Sequence, residues 1–291
     1  MGAERGRAAI PMAGPRDLRS GRFSNGMEFL TWGDGPRTLL FLPGGPGSAI
    51  PTGRLSRMSH SWFDSFIEAG YAVWYVTRRR NMPVGHSVED MANDYAQVIT
   101  DEFGGRVDLV VGESYGGMIA QYVAALHDET WVHLALVVAA AEVDDWGKEV
   151  DSRLSAALSR GDRSGFGTAF AEYVLPGERS RWARRLLGPW IGRSLLSGKN
   201  YPPADLAVEI EAEIAFDSRP VLPRIVKPVL LICGDRDQFF PIEVVEETVS
   251  LIPDCSFVRY DGQGHMKAAT NKRVAPDVLA FVDRNASATP G

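Results

Sequence analysis

The sequence predicts an α/β fold, in which a mostly parallel, doubly wound sheet carries helices on both faces and an inserted helical cap. Short runs of β-branched, aromatic and aliphatic residues alternate with segments whose apolar residues recur at helical spacing. Nearly continuous apolar runs are typical of strands buried on both faces, as in a parallel sheet. The alternation of strand and helix implies right-handed crossovers, and 291 residues suffice for one such domain with a small insertion.

Apolar runs define the strands, and residues 27–32 are predicted as an additional antiparallel edge strand. The predicted parallel strands are residues 38–42, 71–76, 107–111, 134–139, 229–233 and 256–260. Apolar residues that share one helical face predict the helices that connect these strands. The predicted helices are residues 61–68, 88–103, 115–126, 242–251 and 274–282.

The region 144–219 breaks this alternation, because it holds amphipathic patches, turn residues and three tryptophans but no strand pattern. We predict that it forms the helical cap. The core of the domain then consists of residues 21–143 and 220–284. The terminal segments 1–20 and 285–291 are predicted to be disordered and flexible, respectively.

Composition and charge argue against several classes of partner. With 31 basic and 37 acidic residues the net charge is −6, so no nucleic-acid partner is expected. The dense basic run 78–80 could contact an anionic substrate, although a solvated loop is the favoured interpretation. No apolar run approaches the roughly 18 residues of a membrane helix, and the first residues lack a signal-peptide core, so we expect no membrane partner and a cytoplasmic location. Cys233 and Cys255 are too few for a disulfide framework and are interpreted as small core residues.

The most specific motif is a turn at residues 112–117, which read Gly-Glu-Ser-Tyr-Gly-Gly. It follows a predicted strand and opens a predicted helix, which is the context that a nucleophile elbow requires. The chain must turn there within a few residues while it holds Ser114 in a strained conformation, and the glycines at 112 and 116 leave room for neighbouring backbone. The alternative is a tight glycine-rich turn whose serine only caps the helix.

A glycine-rich loop, residues 43–47, follows another predicted strand and reads Pro-Gly-Gly-Pro-Gly. In acyl transfer, negative charge develops on the carbonyl oxygen, and preorganised backbone N–H groups stabilise that charge. We assign the N–H groups of Gly45 and Tyr115 as the two donors of an oxyanion hole. The alternative is that the loop is only a flexible turn.

Two further motifs supply a candidate acid and a candidate base. Residues 234–237 follow a predicted strand and read Gly-Asp-Arg-Asp. Asp237 is the predicted acid because it lies further into the loop, while Asp235 and the carboxylate group at 142–145 remain alternatives. His265 follows the last predicted strand and is the predicted general base, because a histidine with its ordinary pKa of about 6.5 moves protons near neutrality.

These motifs resemble those of the α/β-hydrolase superfamily, and the resemblance covers residues 27–284. Residues 44–47 and 112–117 are similar to those of proline iminopeptidase-like and esterase-like members. The order of nucleophile, acid and base along the chain also matches that of the superfamily. The resemblance implies the same roles for the five residues already assigned. One departure is Pro43, because most relatives carry a histidine there that helps to hold the oxyanion loop.

The predicted reaction is hydrolysis of a small-molecule ester or amide through an acyl-enzyme intermediate. No metal or organic cofactor is expected, because the chain contains no His-Glu-x-x-His string, no Cys-x-x-Cys pair and no P-loop. The same residues would also suit a proline iminopeptidase-like aminopeptidase or a carbon–carbon bond hydrolase. The alternative from a different class is a non-catalytic protein of this fold that binds a ligand. The oligomeric state is left open.

The predicted cap holds the candidate substrate-binding residues, which are Trp146, Trp182 and Trp190. Most aromatic residues of the cap are nevertheless expected to form its own small core. Three glutamates near the end of the cap, Glu209, Glu211 and Glu213, are candidates for binding a substrate ammonium group, although a solvated charged helix is the favoured interpretation. The acyl group and the leaving group of the substrate stay open.

Overall fold

The computed structural model describes residues 18–51, 63–198 and 201–286, and an eight-stranded sheet lies at the centre of this part of the chain. Its strands are β1 (Arg19–Arg22), β2 (Glu28–Trp32), β3 (Arg37–Leu42), β4 (Tyr71–Val76), β5 (Val107–Glu113), β6 (Trp131–Val137), β7 (Val229–Gly234) and β8 (Cys255–Tyr260). The strand order is β1-β2-β4-β3-β5-β6-β7-β8. Strands β3 to β8 run parallel, while β1 and β2 pair antiparallel at one edge. The predicted α/β class with a mostly parallel sheet is confirmed.

Helices cover both faces of the sheet. Their bounds are α1 (63–68 in the described part), α2 (Val88–Glu102), α3 (Tyr115–Leu126), α4 (Asp145–Ser159), α5 (Arg163–Val174), α6 (Arg181–Leu195), α7 (Pro203–Ile214), α8 (Ile242–Leu251), α9 (His265–Ala269) and α10 (Val274–Ala286). Helices α2, α3 and α8 contribute to the core on one face, and α1, α9 and α10 to the core on the other. Strand β5 shows why the central runs are apolar throughout, because Val110 packs into one core while Leu109 and Val111 pack into the other.

Helices α4 to α7 lie between β6 and β7 in the chain and have a small apolar core of their own, which includes Val150, Leu154, Phe166 and Ile210. We propose that these helices are the cap. Helix α7 is anchored to the loop after β4, because the carboxylate of Asp205 accepts hydrogen bonds from two backbone N–H groups of that loop, at 3.0 and 2.9 Å. This anchor holds one side of the proposed cap against the sheet.

The structure corrects several predicted boundaries. Strand β1 includes Arg19 and Ser20, which fall in the segment predicted to be disordered. Its sequence is polar, and it is held by antiparallel pairing with β2 rather than by an apolar pattern. Helix α10 continues to Ala286, two residues into the predicted flexible tail. The predictions for residues 1–17, for 287–291 and for the start of the helix at 61–62 lie outside the described residues.

The two cysteines can be compared with their interpretation as small core residues. Cys233 is buried and Cys255 is partly buried, and both are free thiols. Burial raises the pKa of Cys233 well above its ordinary value, and the neighbouring Asp237 adds to this shift.

Among the residues that the structure describes, no helix combines the length and the apolar character needed to cross a bilayer.

Candidate active site

Ser114 lies at the sharp turn between β5 and α3. Its backbone has φ 51° and ψ −117°, and non-glycine residues rarely adopt such a positive φ. A Cβ at Gly116 would lie 2.0 Å from the carbonyl oxygen of Leu42, and a Cβ at Gly112 would lie 2.6 Å from the carbonyl oxygen of Gly116. Only glycine fits these two positions. The Ser114 hydroxyl makes no capping hydrogen bond to α3, so the alternative interpretation as a capping serine is wrong.

Three predicted side chains meet at the carboxyl ends of the parallel strands. Nε2 of His265 lies 3.0 Å from Oγ of Ser114, and Nδ1 of His265 lies 2.7 Å from Oδ2 of Asp237. The carboxylate of Asp237 is fully buried. Its other oxygen, Oδ1, accepts hydrogen bonds from the backbone N–H groups of Phe239 and Phe240 at 2.9 and 3.2 Å. These bonds hold the Asp237 carboxylate in position beside Nδ1 of His265.

The other candidate carboxylates make different contacts. Asp235 accepts a hydrogen bond from the backbone N–H of Gly262 at 2.6 Å. Glu142 binds two basic side chains, which lower its pKa to about 2. Asp144 caps the start of α4. Of the residues considered as the acid, the structure therefore brings Asp237 to His265.

The glycine-rich loop at 43–47 lies against the turn that carries Ser114. A Cβ at Gly44 would lie 3.0 Å from Cβ of Ser114, which shows how closely the loop approaches. Gly45 has a φ of 64°, a conformation that suits glycine. The carbonyl oxygens of Pro43 and Gly45 both accept hydrogen bonds from Arg78. The loop is thus held by Arg78, a residue from another part of the chain. The roles of Gly45 and Tyr115 as oxyanion donors stay proposals.

An aromatic wall adjoins the imidazole of His265. The centre of the Phe239 ring lies 4.8 Å from the centre of the imidazole ring. The ring centres of Trp146 and Tyr173 each lie 5.0 Å from that of Phe239. The sequence analysis did not single out Phe239, although its position two residues after the predicted acid placed it in the same loop. This wall is an apolar surface beside the imidazole of His265.

The three predicted substrate-binding tryptophans have different surroundings. Trp146 is partly buried and packs against Phe239, which in turn packs against the imidazole of His265. Trp182 and Trp190 are 71% and 83% exposed on α6, so they form no wall of an enclosed pocket. The structure therefore connects only Trp146 with the candidate site.

Two interpretations of charged segments are wrong. Glu209 and Glu213 are buried, and only Glu211 of the three cap glutamates is exposed. Arg78 is also buried, in an ion pair with Glu209. Neither segment is therefore simply solvated. The sequence could not predict this ion pair, because its two residues are 131 positions apart in the chain and no local pattern connects them.

Glu113 carries a carboxyl group directly before Ser114 in the chain. Burial raises its pKa to about 7, and the nearby His265 partly opposes this shift. Its Oε1 lies close to the glycine-rich loop, at 3.3 Å from the position of a Cβ on Gly44. The group therefore titrates in the pH range in which a histidine base also changes charge.

We expect the substitution Glu113→Gln to make the free energy of unfolding less dependent on pH. Because the folded-state pKa of about 7 exceeds the ordinary 4.5, the folded protein keeps a proton that the unfolded chain releases between these values, so the parent loses stability as the pH rises through this range. The variant should be close to the parent near pH 5 and more stable by about 1–3 kcal/mol above about pH 7.5.

Urea unfolding of parent and variant at about pH 5 and about pH 8 measures this difference. Glu211→Gln is the matched control, because Glu211 is exposed and its substitution should not change the pH dependence. A Glu113→Gln variant with the same stability difference at both pH values contradicts the expectation.

Within the residues that the structure describes, no group of three or more His, Cys, Asp or Glu side chains is arranged to hold a metal ion. His127 contacts Asn93, and His133 contacts the carbonyl oxygen of Asp108. His86 lies beside Asp94. Each of these histidines has a partner other than the candidate site.

Comparison with known proteins gives a consistent result. Residues 37–271 match the sequence model of a family described as alpha/beta hydrolase fold. The chain is 28% identical over 212 residues to polyketide synthase ThaQ of Burkholderia thailandensis, a match that covers 70% of this chain and 10% of that protein. It is 29% identical over 181 residues to the pimeloyl-[acyl-carrier protein] methyl ester esterase of Nitrosomonas europaea, covering 60% of this chain and 71% of that protein.

Solved structures show a similar fold. An esterase from Thermogutta terrifontis superimposes with a TM-score of 0.67 at 20% sequence identity, and the match covers 92% of this chain and 98% of that one. At this identity the likeness concerns the fold alone. The pattern of strands, helices and turns described above is thus shared with proteins of widely divergent sequence.

Proposed function

Because the chain belongs to the α/β-hydrolase fold family, we propose that it is a serine hydrolase that cleaves an ester or amide bond of a small molecule through an acyl-enzyme intermediate. One observation carries this proposal. The side chains of Ser114, His265 and Asp237 form an unbroken chain of hydrogen bonds of 3.0 and 2.7 Å. This is the arrangement in which a serine hydroxyl is activated by an adjacent base that a third group orients.

In the proposed mechanism, Oγ of Ser114 attacks the carbonyl carbon while Nε2 of His265 accepts the hydroxyl proton. The N–H at Nδ1 donates to Asp237, which holds the imidazole in the required tautomer and stabilises the imidazolium. The tetrahedral intermediate collapses, and the leaving group departs with the proton from Nε2. A water molecule, deprotonated by the same nitrogen, then attacks the acyl-enzyme, and the bond to Oγ of Ser114 breaks as Nε2 returns the proton to Oγ and the acid is released.

The N–H groups of Gly45 and Tyr115 are the proposed donors to the oxyanion. Tyr115 directly follows the nucleophile at the start of α3, and the loop that carries Gly45 lies against the Ser114 side chain. Losing one such donor typically costs about 10²–10³ in kcat. The two donors therefore account for a large share of the expected rate acceleration.

Esters are the first substrate class to test. One relative is named a methyl ester esterase and one structural neighbour an esterase, which supports this choice. The aromatic wall of Phe239, Trp146 and Tyr173 would contact an apolar acyl or leaving group. The substrate is thus proposed to be an ester with an apolar part beside the imidazole.

A second candidate function is hydrolysis of substrates that carry a free amine, as by a proline iminopeptidase-like aminopeptidase. Two buried carboxyl groups in the proposed cap, Asp151 and Glu213, each keep one oxygen without a hydrogen-bond partner among the described residues. Burial raises the pKa of both groups, to about 7 for Asp151. Tyr173 connects Asp151 with the aromatic wall. A substrate ammonium would satisfy the unpaired oxygens and restore their negative charge.

A parallel activity screen tests both candidates. The substrates are p-nitrophenyl esters of short and medium acids, lactones, diketones, and aminoacyl p-nitroanilides with free or acetylated amines. We expect ester hydrolysis that disappears in Ser114→Ala. Equal turnover of free and acetylated aminoacyl substrates removes the second candidate, and activity on diketones alone replaces the first with carbon–carbon bond hydrolysis.

A further inference from the structure

A buried ion pair lies behind the proposed oxyanion hole. The side chains of Arg78 and Glu209 are both 0% exposed, and Nη2 of Arg78 lies 3.1 Å from Oε2 of Glu209. A charged group loses its hydration on burial, so such a pair is retained only where hydrogen bonds satisfy its remaining polar atoms. The hydrogen-bond partners of Arg78 and Glu209 therefore show which segments of the chain the pair holds in place.

Arg78 binds the glycine-rich loop. Nη1 donates to the carbonyl oxygen of Pro43 at 2.9 Å, and Nη2 donates to the carbonyl oxygen of Gly45. The peptide that carries the Gly45 N–H therefore lies between two peptides whose carbonyl groups are both bound by one guanidinium. The planar, rigid arrangement of guanidinium donors suits such a double contact. Pro43 itself supplies neither a backbone N–H nor a polar side chain to hold the loop.

Glu209 binds the other end of the same loop and the elbow. Its carboxylate accepts hydrogen bonds from the backbone N–H of Gly47 and from the hydroxyl of Tyr201. Its backbone carbonyl oxygen accepts a hydrogen bond from the hydroxyl of Tyr115 at 2.9 Å. The guanidinium of Arg78 also lies over the Tyr115 ring, 4.4 Å from its centre.

We infer that Arg78 and Glu209 are positioning residues that hold both proposed oxyanion donors, Gly45 and Tyr115, at one fixed separation. The inference rests on the proposed function. Glu209 lies on α7 and Arg78 follows β4, so the pair also connects the proposed cap to the oxyanion loop. Because stabilisation of an oxyanion requires donors fixed in advance, loosening this pair lowers the rate of the chemical step more than it weakens binding of the substrate.

The test uses two variants that avoid an isolated buried charge. Arg78→Lys keeps the positive charge but cannot span both carbonyl groups and the carboxylate. The double variant Arg78→Met, Glu209→Gln removes both charges together, which avoids the large cost of leaving one ion unpaired. Thermal unfolding identifies which variants are folded, and Arg78→Lys decides the question if the double variant is not.

A second buried pair in the proposed cap supplies matched controls. Arg184 and Glu172 also form a largely buried ion pair, and Arg184 binds two carbonyl groups within the cap. Neither residue contacts the oxyanion loop in the described structure. The controls are Arg184→Lys and the double variant Arg184→Met, Glu172→Gln, which change a largely buried pair at a different place. Glu172 also pairs with the half-exposed Arg153, which stays in contact with solvent when Glu172 is replaced.

For the ester that the parent hydrolyses best, we expect kcat to fall by about 10–100-fold in the Arg78 variants, with KM changed by less than about threefold. Affinity for a trifluoromethyl ketone analogue, which forms a tetrahedral oxyanion adduct, should fall by the same factor as kcat/KM. The control variants should keep the kcat of the parent.

An unchanged kcat in folded Arg78 variants overturns the inference, and so does an equal loss in the controls, because the effect would then come from the cap as a whole. These outcomes differ from failure of the proposed function. That failure would appear as a parent protein with no hydrolytic activity, or as a Ser114→Ala variant that is as active as the parent.

Discussion

Replacing Ser114 with alanine is expected to lower kcat for ester hydrolysis by about 10⁴–10⁶-fold. The substitution removes the atom that lies 3.0 Å from Nε2 of His265, so no covalent intermediate can form. The proposed oxyanion donors and the binding surface stay in place, and a small residual rate above the uncatalysed reaction should therefore remain. Substrate binding and the free energy of unfolding should change little.

Steady-state kinetics on the ester selected by the activity screen measure this loss. Ser152→Ala is the matched control, because Ser152 is an exposed serine of α4 whose hydroxyl donates to the backbone carbonyl oxygen of Lys148 in the same helix. The control should be as active as the parent. If Ser114→Ala retains even a tenth of the parent kcat, Ser114 is not the nucleophile.

The second large effect is expected for Asp237→Asn, which should lower kcat by about 10³–10⁴-fold. The amide keeps the size of the carboxylate, and its oxygen can still accept from the backbone N–H groups of Phe239 and Phe240. Its NH₂ group then faces Nδ1 of His265 and donates to it, which leaves Nε2 protonated and unable to accept the Ser114 proton. The loss follows from the tautomer and not from a change in the fold.

Asp235→Asn is the matched control, because Asp235 lies in the same loop but binds the backbone of Gly262. We expect it to lower kcat by less than about threefold, with some loss of stability from the weakened hydrogen bond. Kinetics of both variants at one pH, together with their thermal unfolding, give the comparison. A larger loss of kcat in Asp235→Asn than in Asp237→Asn would reverse the assignment of the acid.

The sheet and the order of the site residues could be predicted because the responsible signals are local. The predicted bounds of β4, α3 and α8 coincide with the observed ones, since each segment has an apolar pattern that starts and ends clearly. Ser114, Asp237 and His265 each follow a strand of a parallel sheet, and the carboxyl ends of such strands share one edge. Their convergence therefore followed from strand order and direction.

Other features depend on contacts between distant residues and left no local signal. The pairing of Arg78 with Glu209 joins a loop after β4 to a helix of the proposed cap, and each residue alone has the pattern of a solvated charge. Strand β1 is polar and is stabilised by its pairing with β2. Trp182 and Trp190 differ in the opposite direction. Their large aromatic side chains suggested a binding pocket, but both are exposed.

Covalent labelling by a fluorophosphonate, followed by peptide mapping, tests the central claim most directly. The reagent reacts with a serine hydroxyl only where a neighbouring base activates it. We predict one adduct per chain, located on the peptide that contains Ser114, with no adduct in Ser114→Ala and much slower labelling in His265→Gln. A parent protein that remains unlabelled, or that is labelled equally well after Ser114→Ala, would contradict the proposal that Ser114 is an activated nucleophile.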